Sequence, residues 1–161
     1  MNLIVVALLS FAAQSKNPEY DYWAGCKVGS WAKIKIEGEV AGQKAAMDTT
    51  HTLLELGKEK AVVERKMKMT LGGKEQPEQS EKENVPSDKD PNPVKIAKEG
   101  DEEIEVAGKK LKCHWIEGTQ GENTKVKMWL SKEIPGGIAK GEMTEAGQGT
   151  MKLTATSWEK K

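Results

Sequence analysis

Lys125-Val126-Lys127-Met128-Trp129-Leu130-Ser131-Lys132-Glu133-Ile134-Pro135-Gly136-Gly137-Ile138-Ala139-Lys140 is the stretch whose reading decides the fold. Charged and apolar residues alternate up to Leu130, the run halts at Pro135, Gly136 and Gly137, and an apolar run resumes at Ile138. That pattern predicts a strand, a sharp structural corner and a second strand. Pro135 fixes its own φ and biases Ile134 towards an extended conformation, while Gly136 and Gly137 permit positive φ.

Outward from the corner the same two-residue period recurs. Ala32, Ile34 and Ile36 fall on one face of a strand, with Lys33, Lys35 and Glu37 on the other. A turn at 41–44 leads to a threonine-rich strand over 47–56, and a turn at 57–60 leads to 61–71, where Val63, Met67, Met69 and Leu71 share a face. After residue 93, runs at 94–98, 102–106 and 110–117 precede the corner, and runs at 138–144 and 150–158 follow it. Sustained helical periodicity is missing, although a short helix over 17–23 is compatible with the residues there. The fold class expected is all-β or mainly β: a single antiparallel meander sheet of about 7–9 strands, curled into a half-barrel or barrel. Residues 72–93 are dominated by Glu, Lys, Gln, Ser, Asp, Asn and Pro and predict a long exposed loop.

The chain has 161 residues, enough for one domain with a real core. Its 25 basic and 25 acidic residues cancel, which removes the net field needed to hold nucleic acid or an anionic membrane. Residues 3–13 form an apolar run too short to span a bilayer but suited to a secretory signal, with small residues at Ser10 and Ala12 or at Ala13 and Ser15 for cleavage. A buried N-terminal strand or helix is the alternative. The division expected is therefore a signal peptide at 1–15 and a single β-rich domain at 16–161, secreted or periplasmic, without a transmembrane span. Trp23-Ala24-Gly25-Cys26 looks like a lipoprotein box but does not follow the apolar run directly. Export would place Cys26 and Cys113 where a disulfide could form; two separate small core residues are the other reading.

Catalytic chemistry finds little to work with. His51 and His114 lack a local nucleophile or orienting carboxylate and read as exposed strand histidines. Cys113 and His114 are adjacent, so they point to opposite faces of a strand and cannot hold one metal together. Neither a nucleophile elbow nor a phosphate loop is present, and carboxylates read as belonging to solvated, lysine-bearing faces. No enzyme, metal or cofactor is expected. Trp115 shares parity with Leu111 and Cys113 and reads as core, whereas Trp31, Trp129 and Trp158 share parity with lysines and threonines on a wetter face. Such rings either pack under the long loop or the N-terminal lead-in, stack on lysine stems, or line a groove.

Asn17-Pro18-Glu19-Tyr20, the Trp23-x-x-Cys26-Lys27-x-Gly29-Ser30-Trp31 motif and the Trp129 to Lys140 corner resemble a family of uncharacterised secreted bacterial β proteins. That resemblance implies export and no particular activity. The late corner after a meander is also similar to periplasmic half-barrels of the LolA type, whose curved sheets hold acyl chains; this chain departs from them in having one Phe and no apolar helix to plug a concave face. The reading that follows is a non-enzymatic exported protein binding a lipid, another amphipathic small molecule or an envelope protein on its curved face. Trp31, Trp129, Trp158, Met67, Met69 and Met128 are its candidate contacts. The alternative is a structural or protein-interaction module with a fully packed sheet. An open cavity lined by Met67, Met69, Val126, Met128 and Leu130 would favour the first, and a collapsed core the second.

Overall fold

A computed structural model describes residues 16–40 and 42–161. The expected signal peptide, and Ala41 in the first turn, lie outside the described residues. One short helix, α1 (Pro18–Ala24), precedes ten strands: β1 (Trp31–Val40), β2 (Gln43–Leu56), β3 (Lys60–Leu71), β4 (Lys74–Glu75), β5 (Gln79–Pro86), β6 (Val94–Val106), β7 (Lys109–Gln120), β8 (Thr124–Leu130), β9 (Ile138–Glu145) and β10 (Gly149–Glu159).

The helix starts where its residues allow. The Asn17 side chain accepts a hydrogen bond from the Glu19 N–H at 3.1 Å, and Pro18 fills the first helical position, where no N–H is needed.

All strands join one antiparallel sheet ordered β4-β3-β2-β1-β10-β9-β8-β7-β6, with β5 pairing β3 beyond β4. The antiparallel meander expected is present as two runs, β1 to β4 and β6 to β10, joined where β1 pairs with β10, and the sheet is not closed into a barrel. It is strongly curled. Cα atoms of β6 and β10 approach within 8 Å of one another, although β6 lies four positions from β10 in the sheet. A flat sheet would hold those strands roughly 19 Å apart at about 4.8 Å per strand. Register shifts at Lys33/Ile34, Leu53/Glu55, Ile96/Lys98 and Trp129/Leu130 supply the local bends that curling requires.

The segment at 72–93 is not a structureless loop. Residues 79–86 form β5, paired from Lys60↔Pro86 to Met67↔Gln79 with β3, and Val85 is buried. Backbone hydrogen bonds hold this edge strand while most of its side chains stay in water, so the sequence carries no apolar alternation to mark it.

The corner reverses the chain rather than merely bending it. Residues 131–137 form consecutive turns, tied by Ser131 N–H to Gly137 O at 2.8 Å and Gly137 N–H to Ile134 O at 2.9 Å, and β9 returns antiparallel to β8. Gly136 and Gly137 both have positive φ, +76° and +87°. Ile134 is fully buried beneath them.

Candidate functional site

Cross-strand register places one apolar row across seven strands. Met69 pairs with Met47, Met47 with Ile36, Ile36 with Leu153, Leu153 with Gly141, Gly141 with Met128, and Met128 with Ile116. The neighbouring row on the same face contains Leu71, Ala45, Gly38, Met151, Met143 and Val126. Met67, opposite Thr49 and two residues from Met69, belongs to this face as well. Of the chain's seven methionines, every one except Met1 therefore points to a single side of the sheet, termed the inner face below.

Along this face packing changes from closed to open. Val126, Met128 and Leu130 are buried, and Met128 fills the space a side chain at Gly141 would need, so these three do not line an open cavity with Met67 and Met69 and the sheet is fully packed there. Met47, Met67, Met69 and Met151 are only half-buried. Thr49 sits between Met67 and Ile34, buried, and its hydroxyl has no hydrogen-bond partner among the described residues. A buried polar group left unmatched in this way is costly unless something satisfies it. Near this end of the sheet, a shallow depression is lined by Gln43, Lys44, Leu71 and Lys74 among others.

The other end of the same face lies under α1. Trp23 and Cys26 pack against Leu53, Ala61, Val63 and Val85. Here Arg65 is buried between two carboxylates, Glu19 at 3.0 Å and Glu83 at 2.6 Å. Burial pushes the Glu19 carboxyl up to about 7 even though Arg65 opposes the shift. His51, paired across the strands with Arg65, is buried rather than exposed as its sequence context suggested, and burial together with the Arg65 charge lowers it to about 3. Sequence parity did carry a signal for this cluster: Arg65 falls on the apolar face between Val63 and Met67, and His51 between Thr49 and Leu53. Glu19 is likewise an exception to the solvated carboxylates expected. The short helix compatible with residues 17–23 is present as α1, and it carries Glu19 and Asp21 as well as the buried Trp23.

The tryptophans do not form one groove. Trp129 is only 8% exposed: its indole N–H donates to Glu102, and the ammonium groups of Lys140 and Lys127 lie 5.0 and 5.1 Å from its ring centre. Trp158 is half-buried against the same cluster as Trp129 and Trp115, with the Lys109 ammonium 4.8 Å from its ring. Trp31 stands apart, donating to Glu159 at 3.2 Å. Stacking on lysine stems is thus how these rings are covered. Among the ligand candidates, Met67 and Met69 lie together at the open end, whereas Met128 is core.

Cys26 and Cys113 are free and buried in separate clusters, so the disulfide does not form. Burial raises the Cys113 thiol to about 11, which makes it a packing residue and a poor nucleophile. His114 is partly exposed and sits between Glu99 and Asp101, at 3.1 and 3.0 Å. Among the described residues, no group of three or more His, Cys, Asp or Glu side chains is placed to hold a metal, and no helix is long and apolar enough to cross a membrane.

No protein-family model matches the chain, and no curated protein matches it either. Among solved structures, it is similar to MucB in complex with MucA(peri), with a TM-score of 0.47 and 13% identity over 89% of this chain and 56% of that one. MucB alone gives 0.42 and 13% over 89% and 57%. A DUF1329 family protein from Desulfovibrio piger gives 0.33 and 10% over 92% and 94%. The chain spans a little over half the length of the MucB chains.

Proposed function

We propose that this chain is an exported, non-enzymatic binding protein that takes an acyl chain, or another amphipathic molecule with a comparable tail, on the open end of its inner face. The observation carrying this reading is the gradient along that face, from the packed centre at Val126, Met128 and Leu130 to half-buried Met47, Met67, Met69 and Met151. Unbranched, polarizable methionine side chains reshape around a flexible tail more readily than branched ones. The unmatched Thr49 hydroxyl offers a polar contact next to them. Export rests on the apolar run at 3–13.

Strand addition by a protein partner is the less favoured alternative, because both edges of the sheet are charged. β6 exposes Lys95, Lys98, Glu99, Asp101, Glu103 and Glu105, and β5 exposes Glu81 and Lys82. Charges of both signs along an edge oppose pairing with another strand. Native mass spectrometry of exported protein tests the reading. A retained adduct with the mass of a fatty acid or lipid, lost from a Met67→Glu/Met69→Glu variant, is expected; an adduct-free protein that also fails to bind added palmitate would overturn it.

A further inference from the structure

The thioethers at the open end of the inner face are also soft metal ligands, and three of them fall together. Met47 and Met69 are direct partners on β2 and β3, and Met67 lies two residues from Met69 on the same side. Directly opposed residues have Cβ atoms about 4.5–5.5 Å apart and diagonal ones about 7–8 Å. Methionine's three rotatable bonds let its sulfur range over such separations. All three side chains are half-buried, so they retain freedom that Met128, wedged over Gly141, has lost.

Their surroundings select the kind of ion. The neighbours in register with the three methionines are Ile36, Thr49 and, on β5, Gln79, none of which is a carboxylate. Calcium and magnesium need several oxygen ligands, whereas thioether sulfur favours soft monovalent ions. The flanking charges Lys66, Lys68 and Asp48 alternate onto the opposite face of their strands. We infer that Met47, Met67 and Met69 together form a binding site for a soft monovalent cation, Cu(I) or Ag(I), held by thioether sulfur alone. The site shares its face with the proposed acyl site but depends on sulfur, where acyl binding depends on apolar area.

A thioether has no proton to lose, so the site is tested by removing sulfur rather than by pH: Arg65, two residues from Met67 on the same face, and its partner Glu19, whose carboxyl burial pushes up to about 7, would change the local charge between about pH 6 and 8 whatever the ligands. The test is anaerobic titration of the folded protein with Cu(I) against a chromophoric chelator, for wild type and for the Met47→Leu/Met67→Leu/Met69→Leu variant. Leucine keeps volume and apolarity, so acyl binding should survive while sulfur is lost. Both proteins also carry Cys26→Ala and Cys113→Ala, because a free thiol takes Cu(I) ahead of a thioether and would hide the site. One Cu(I) held by wild type, an affinity lower by at least about tenfold in the triple variant, and a Met128→Leu control like wild type are expected. Equal Cu(I) retention by wild type and triple variant would overturn the inference. If the triple variant does not fold, Met67→Leu/Met69→Leu, confined to half-exposed positions on β3, decides the question by the same comparison. Loss of palmitate binding with intact Cu(I) binding would count against the acyl reading alone.

Discussion

Gly136 lies so close to Trp23 that a β-carbon built on it would sit 2.8 Å from the indole ring. Its neighbour Gly137 stands in the same relation to Tyr22, at 2.6 Å. The two turns after β8 therefore dock against α1, and the two glycines are required twice over, by positive φ and by the rings lying on them. Gly121 also has positive φ, +62°, but nothing lies within 4 Å of a β-carbon there. Gly136→Val and Gly137→Val should each cost more than ~2 kcal/mol in urea unfolding, combining strain with overpacking. Gly121→Val should cost only the strain, about 1 kcal/mol. Equal losses at all three positions would separate the corner from the helix.

Trp129 is closed in by lysine stems and bonded to Glu102. Trp129→Ala is expected to lower stability by about 3 kcal/mol or more, as for other buried large-to-small changes, and to leave palmitate binding by the folded fraction unchanged. Weakened binding with an unmoved melting temperature would return Trp129 to the ligand contacts.

Glu19 and His51 should pull the pH dependence of stability in opposite directions. The folded-state Glu19 carboxyl, near 7, lies above its ordinary 4.5, so the folded chain binds more protons and stability falls as pH rises between those values. His51, near 3, lies below its ordinary 6.5, so the unfolded chain takes up the proton first and stability falls as pH drops from 6.5 towards 3. The two contributions cancel where they overlap, from 4.5 to 6.5. Measured relative to wild type, Glu19→Gln should lose stability as pH falls through that window, and His51→Gln should lose it as pH rises. Parallel pH profiles for all three proteins would contradict the buried placement of both groups.

β5 contributes Glu83 to Arg65 and Val85 to the cluster under α1. Replacing residues 77–92 by a short Gly-Ser linker should therefore cost at least ~2 kcal/mol, from the exposed cluster and from Arg65 losing a partner. A dispensable loop would show an unchanged urea midpoint.

That segment marks where sequence patterning stops being informative. Alternation reveals a strand when one face meets a core, as at Ala32, Ile34 and Ile36, and the meander follows from several such runs joined by turns. Ser80, Glu81 and Lys82 are exposed on both faces of β5, so only backbone pairing defines the strand. The candidate site was legible in part for the same reason. Met67 and Met69 share a face by parity alone, but their alignment with Met47 and Met151 depends on the register between strands, which parity within one strand does not specify. The tryptophans misled because parity with lysine also describes a ring lying beneath lysine stems.

The most direct measurement of the acyl-binding claim is an NMR titration of protein carrying 13C-labelled methionine methyl groups with palmitate, each resonance assigned by a Met→Leu substitution. The methyl signals of Met47, Met67, Met69 and Met151, half-buried at the open end, should shift saturably, while those of Met128 and Met143 in the packed centre stay nearly still. No saturable shift at any of the four, or shifts of equal size at Met128 and Met143, would contradict the inner face as the place where the ligand binds.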